Sequence, residues 1–557
     1  MKLLYSTTHR NPTSIIILHV LFGILSSQSS FFSTIWAWTI FILGSYDIII
    51  TKNRSNEVAV YSAYLVTLEI ILRMTKASVF WEFGKYGVIF FIMLGFIIKQ
   101  DQKHKISPFI FFYFLLLIPS LIFTLHNQSF ELWRSTISFN LSGPMILFIS
   151  SIYFRGRLIN RNQLVNIFRM FMLPIVSLII IIIIRAPSFE DIEFTTEANF
   201  QLSGGYGPNQ VSSILGLGIF IITLSKITNL KLFFNLIEYT LLGFSSILGY
   251  LTFARGGMLT AIISIMTITL IAMGKKGRKN LRAGKIFYII AMLIIFWNIG
   301  VNFSEGMMQD RYRSLFEISD TGNLSGSGRI LIMLIDLEIF YDNLLFGVGP
   351  GQATQIRKDY GYGKFVTAHS EFTRLLSEHG VLGLLSVLCI IIMTLKDFRK
   401  RNREEKCIQL GLALLALLTM SHSAMRLAMP GFIFGLAFIR IKEKALREEK
   451  LSEVKNEVLE KLLPETEEAP LHNPADVKIT IKDITASYMK EMVLKENIRC
   501  DGRTQEEIRP IYVDMDLLPR THGSALFTRG ETQAIAVCTL GGESMGQRFE
   551  TLDEDGL

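Results

Sequence analysis

The sequence predicts an all-α polytopic membrane protein that carries a small, incomplete α/β segment at its C-terminal side. Three observations carry this. Half of the 557 residues are hydrophobic and the mean hydropathy is +0.39, which is unusual for a soluble chain of this size. Apolar runs such as Pro174–Ile184 and Phe109–Phe123 read as membrane spans. Finally, the charge divides sharply. From Ile441 onward there are 16 Lys+Arg and 24 Asp+Glu, which leaves 40 and 24 before it out of the 56 and 48 in the chain. A basic membrane part thus meets an acidic tail near residue 441.

In order, spans are expected near 13–27, 31–50, 57–74, 86–99, 108–125, 140–154, 165–185, 208–226, 234–252, 257–274, 285–302, 379–396, 407–421 and 426–440. Several are short, so the expected number is 12 to 14. The first follows MKLLYSTTHRNPTS with no small-residue cleavage site behind it and reads as a retained span. The basic loops GKKGRKNLRAGK (274–285) and DFRKRNREEK (397–406) set the orientation, and loops 51–56, 99–107 and 155–163 agree. Both termini are then cytoplasmic. Loop 186–207, the turn at Arg255 and the large loop 303–378 all open outward. The organisation expected is 1–440 membrane domain, 441–475 helix and polar linker, and 476–557 α/β segment. Cys389, Cys407, Cys500 and Cys538 have no metal-ligand spacing, and none lies in an outer loop, so no disulfide is expected.

Three outward elements carry candidate chemistry. GGYGPNQ (204–210) makes a turn in which Asn209 is placed to cap the next span. LTFARGGMLT puts Arg255 between two spans, where a snorkelling anchor is the ordinary reading. The large loop contains Arg311, Arg313 and Arg329. Arg329 opens an apolar interfacial helix, a position unfavourable for the helix dipole that suggests an anion partner. The loop continues through a glycine turn (Gly347, Gly349, Pro350, Gly351) to His369, then to a helix with Glu371, Arg374 and Glu378 before Gly380. A polar loop of this length between spans is more often functional than idle.

The order Arg329, Gly347/Gly349, His369, Glu378/Gly380 resembles the O-antigen ligase and polymerase family of bacterial envelope glycosyltransferases. The final pair is spaced SEHG, slightly wider than the family form. A Gly…Pro-Asn element and a Ser/Ala-Arg-Gly turn belong to the same resemblance, matching Asn209 and Arg255. The resemblance implies transfer of a glycan from a polyprenyl diphosphate to a sugar hydroxyl at the outer face of the bacterial cytoplasmic membrane. Partners would be the lipid-linked glycan donor, a glycan or lipid A-core acceptor, and other envelope polysaccharide assembly proteins. Arg255 and Arg329 would hold the diphosphate. His369 would be the base, with Glu371 or Glu378 orienting its ring. Arg311, Arg313, Asn209, Gly347, Gly349 and Arg374 complete the expected substrate-binding set. Loop 303–378 has no Asp-x-Asp or ligand cluster, so neither metal nor other cofactor is expected.

Past residue 441 a charged helix with Leu451, Val454, Val458 and Leu462 in register leads into a Pro-containing linker. Alternating strand patterns follow around 510–518 and 533–540. The stretch IRCDGRTQEEIRPI…LPRTHGSALFTRGETQAIAVCTLG closely resembles polyribonucleotide nucleotidyltransferase at the opening of its second RNase PH-like core. Arg520, His522, Arg529 and Thr532 match it. The phosphate-binding loop, the catalytic Asp pair and the KH and S1 modules of that family do not appear, so the tail is expected to be an inactive fused fragment with open strand edges that binds no nucleic acid. Two other classes compete. A flippase of the lipid-linked glycan would need polar residues along mid-membrane, and the spans are nearly free of charge apart from Glu69 and Arg73. A membrane-tethered RNA-processing factor is opposed by the acidic tail.

Overall fold

A computed structural model describes residues 12–98, 107–126, 130–188, 198–273, 283–313, 329–361, 367–399 and 401–441, and beyond these mainly 473–497, 511–518, 520–529, 532–542 and a few shorter stretches. The chain divides into two compact units, Met1–Lys442 and Glu443–Leu557.

The first unit is a helical bundle, as the apolar runs require. Its helices are α1 (Pro12–Gln28), α2 (Ser30–Thr51), α3 (Glu57–Met74), α4 (Phe83–Ile97), α5 (Pro108–Leu115), α6 (Leu121–His126), α7 (Phe130–Phe154), α8 (Arg161–Arg185), α9 (Pro208–Ile227), α10 (Asn235–Leu251), α11 (Arg255–Met273), α12 (Ala283–Phe303), α13 (Met307–Arg313), α14 (Arg329–Asp342), α15 (Ala353–Ile356), α16 (Glu371–Phe398), α17 (Arg403–Ser423) and α18 (Met429–Leu436). Local chemistry starts several of them. Asn160 and Gln163 form a reciprocal capping box on α8, and the Asn402 side chain accepts from Glu405 N at 2.8 Å on α17.

Among the described residues, seven helices are long and apolar enough to cross a membrane, and shorter apolar helices join them. The protein is a multi-pass membrane protein. Two expected spans take other forms, while 57–74 forms α3 at its expected bounds. The run 108–125 is broken into α5 and α6 around Pro119. The run 426–440 contributes only α18 and then a strand. Helix α3 carries Glu57, Glu69 and Arg73, all buried. Loops 99–107 and 274–285 fall almost wholly outside the described residues.

The core is the interior of α3, α8, α9, α17 and α18, with Leu65, Phe171, Phe220, Leu412 and Phe432 fully buried. Outer helices leave large apolar side chains exposed, such as Ile42, Ile50 and Leu270, as lipid-facing positions do. At one end of the bundle, β1 (Leu158–Ile159) pairs in parallel with β2 (Arg440–Ile441). Arg440 N donates to Arg157 O at 2.8 Å there, and Glu405 accepts from Arg440 Nη1 and Ile441 N.

In the second unit, α19 (Pro474–Glu496) starts at Asn473, whose side chain accepts from Ala475 N. β3 (Ile511–Met515), β4 (Gly523–Arg529) and β5 (Thr532–Cys538) form an antiparallel sheet in that order. This matches the strand patterns of the sequence. All residues of β5 are exposed. Most of the expected helix after 441 lies outside the described residues.

Candidate active site

The end of the bundle away from the β1–β2 pair gathers helix termini. The C-terminal ends of α3 and α17 meet the N-terminal ends of α9, α11, α14, α16 and α18 there. A polar loop folds onto them. Its glycine turn is fixed by backbone geometry. Gly347 sits at φ +65°, and a Cβ on it would meet the Glu378 carbonyl carbon and His379 N at 2.4 Å. Gly380, at φ 62° and ψ −144°, breaks α16 where the turn arrives. Val348 N donates to Ser377 O and Gly349 N to Glu378 O, each at 3.0 Å. Only glycine supplies this combination of positive φ and close approach. Gly347 and Gly349, expected to face substrate, therefore serve to lock the turn to α16.

Farther along, Arg357 is fully buried. It donates to Asp336 Oδ1 from Nε at 2.8 Å and Nη2 at 2.6 Å. Thr373 Oγ1 donates to Asp336 Oδ2 at 2.9 Å. Burial pushes the Asp336 carboxyl up from its ordinary range, and the Arg357 charge opposes that. This buried pair ties α14, the loop and α16 together.

His369 stands just before α16, whose N-cap is Ser370. Its Nδ1 is buried without a hydrogen-bond partner. Burial, and then the nearby charges of Arg426, Arg329 and Arg357, lower its pKa to about 3, so the imidazole is neutral. Arg426 lies in the turn between α17 and α18. It reaches back to the residues preceding His369, with Nη2 donating to Thr367 Oγ1 at 2.7 Å and Ala368 O at 3.0 Å.

Arg329 is the first residue of α14, and its Nη2 donates to Asn209 Oδ1 at 2.9 Å. Asn209 thus holds the arginine rather than capping α9, whose N-cap is Gly207. Arg255 is buried at the start of α11. The next residue, Gly256, packs against the His422 ring so closely that a Cβ would meet Nδ1 at 2.3 Å. Both ring nitrogens of His422 are buried without hydrogen-bond partners.

The structure therefore brings Arg329, Asn209 and His369 to one end of the bundle, with the Arg255 turn beside them. It adds His422 and Arg426, which sequence reasoning passed over. A positive charge in the otherwise apolar turn SHSAMRLAMPG was the available signal. Other expected roles change. Glu371 and Glu378 do not orient His369. Both pair with Arg374 inside α16, at 2.5 Å to Nη2 and Nη1, and Arg374 also donates to Asn140 O at 3.2 Å. That trio is buried and braces the helix. Arg313 is exposed on α13, and the Arg311 side chain lies outside the described residues. Among the described residues no three His, Cys, Asp or Glu side chains gather as a metal site. The site is a cluster of guanidinium groups around the neutral His369 imidazole, with the His422 ring nearby, an arrangement suited to holding an anion and accepting a proton.

Comparison with known proteins divides the chain the same way. Residues 240–388 match the O-antigen ligase family, a range that contains Arg255, Arg329 and His369. Residues 436–504 match the RNA-binding domain of polyribonucleotide nucleotidyltransferase. The polyribonucleotide nucleotidyltransferase of Protochlamydia amoebophila (strain UWE25) is 54% identical over 118 residues, covering 21% of this chain and 17% of that protein. That of Chlamydia felis (strain Fe/C-56) is 39% identical over 167 residues, covering 30% of this chain and 23% of the relative. The chain thus spans less than a quarter of the length of these relatives. It joins a membrane segment similar to the O-antigen ligase family with a segment similar to polyribonucleotide nucleotidyltransferase.

Proposed function

We propose that residues 1–440 are a glycosyltransferase of the O-antigen ligase or polymerase type. It acts on a polyprenyl-diphosphate-linked glycan at the outer face of the bacterial cytoplasmic membrane. The observation that supports it most is the gathering of Arg329 and Arg426 about His369, whose neutral ring has an unpartnered nitrogen, with the Arg255 turn packed on the neighbouring His422. In the step proposed, His369 takes the proton of an acceptor sugar hydroxyl. The oxygen attacks the anomeric carbon of the donor, and the bond from that carbon to the diphosphate breaks. The electron pair leaves with the polyprenyl diphosphate, whose charge the arginines hold. The reading needs no metal, because the guanidinium groups supply the positive charge.

The electrostatics predict a pH signature. Burial, and then the charges of Arg426, Arg329 and the Asp336-paired Arg357, hold His369 neutral, and protonation would remove the base. Bound diphosphate offsets the arginine field, so the basicity of His369 rises when donor is present. The acid limb of kcat/KM is expected well below pH 6.5, and that of kcat at higher pH. Coincident limbs in purified protein would show that the diphosphate does not sit among these arginines.

Arg329→Lys keeps the charge and loses the planar fork that now engages Asn209. Transfer is expected to fall by roughly tenfold, about the worth of one charge-assisted hydrogen bond. Wild-type activity in the lysine variant would mean that only total charge matters.

The second unit is proposed to take no part in this chemistry. Its β5 strand is wholly exposed. A chain stopped after residue 445 is expected to insert and to transfer glycan as the full chain does. Loss of transfer at normal membrane level, or release of nucleoside diphosphates from RNA and phosphate by the full chain, would give the tail a role.

A further inference from the structure

A cavity of about 210 Å³ opens where α3 ends and α4 begins, lined in part by Glu69, Arg73, Lys76, Phe80, Trp81 and Phe83. Two features set it apart from a gap between helices. Phe80 and Trp81 on its rim are 53% and 56% exposed. Its floor is charged and mixed. Arg73 Nη2 pairs with Glu69 Oε1 at 2.5 Å and lies 3.6 Å from Glu82 Oε1, and Lys85 pairs with Glu82 at 2.7 Å. The Arg73 guanidinium also lies 5.0 Å from the Trp81 ring centre. Its Nε is buried with no hydrogen-bond partner, a donor that burial makes costly to leave unmet.

The cavity is wired to the catalytic end. Arg73 Nη1 donates to Arg426 O at 3.0 Å, and Glu69 Oε2 accepts from Ala428 N at 2.7 Å. Arg426 in turn grips the residues before His369. Trp81 lies beside Tyr206, ring centres 6.5 Å apart, on the turn that leads to Asn209.

Resting on the transferase reading, we propose that this cavity is a carbohydrate subsite that receives one sugar ring of the glycan next to the reacting hydroxyl or anomeric carbon. The Glu69 carboxylate in its lining, with Glu82 next to Arg73 beyond it, disfavours a diphosphate, which the cationic cluster suits. An aromatic face packs against the C–H face of a sugar, and a floor of paired acids and bases both donates to and accepts from hydroxyls. The volume is below the roughly 300–1,000 Å³ of drug-sized sites, so it takes a single ring and not an oligosaccharide. The sugar belongs either to the acceptor or to the donor glycan.

The test uses the full chain in lipid nanodiscs and a panel of methyl glycosides of common hexoses, N-acetylhexosamines and heptoses, read by saturation-transfer NMR. Ring C–H signals are expected for at least one glycoside, lost in Trp81→Ala and kept in Trp81→Phe. Transfer assays then identify the source. Trp81→Ala is expected to raise one KM by about tenfold, near 1.4 kcal/mol, with kcat little changed. A rise in acceptor KM assigns the cavity to the acceptor, and a rise in donor KM to the donor glycan. No glycoside signal, or a signal and both KM values unchanged in Trp81→Ala, overturns the proposal and leaves Trp81 an interfacial anchor. Glycoside binding lost in Trp81→Ala, in a protein that transfers no glycan, supports the sugar site while removing the transferase reading.

Discussion

His369→Ala is expected to lower glycan transfer by about 10²- to 10⁴-fold, the usual worth of a positioned proton acceptor. Membrane level should not change, because the ring is only half-buried and no described hydrogen bond to its Nδ1 is lost. The measurement is single-turnover transfer with purified protein in excess over the lipid-linked donor. Single turnover isolates the chemical step from product release. Full activity would show that another group takes the proton. His422 would then be the first candidate, since both of its ring nitrogens are also buried and unpartnered.

Asp336→Ala is expected to have the largest effect on stability. It would strand the Arg357 charge, fully buried at 0% side-chain exposure in both partners of the pair. Breaking such a pair by removing one member costs about 3–5 kcal/mol. Thermal unfolding in detergent and the level of protein in membranes would read the loss. Asp336→Ala combined with Arg357→Met removes both charges and should recover much of it. An Asp336→Ala protein as stable as wild type would mean that water reaches the pair.

Much of the bundle was legible in the sequence because lipid leaves little choice. Apolar runs of span length must become helices, and α2, α8, α9 and α17 fall where those runs lie. The elements that departed did so where a single residue outweighed the pattern. Pro119 splits one run, whereas the Gly380 kink falls where the sequence already set the boundary between a short helix and the next span. The arginines at 255 and 329 and His369 stood out because each is polar at a turn or loop between apolar runs. His422 was set aside because no motif surrounds it in the sequence, and Arg426 drew no notice in its short turn. Asp336 and Arg357 are 21 positions apart, and no periodicity links them. Glu69 and Arg73 were visible as an i,i+4 pair on an apolar span. Their hold on the Arg426 turn, more than 350 positions away, could come only from the fold.

The short parallel pairing of β1 with β2 bears on biogenesis. Leu158 is made early and waits for Arg440, its partner across the ladder. The clasp is backed by Gly156 N donating to Phe438 O at 3.1 Å. A nascent chain can therefore fasten this end of the bundle once Ile441 has left the ribosome and insertase. Whatever is translated afterwards arrives at a first unit whose last strand is already in place. A chain arrested a few residues short of Arg440 would lack that clasp and present its incomplete end to the membrane proteases, whereas one arrested just beyond it would be spared.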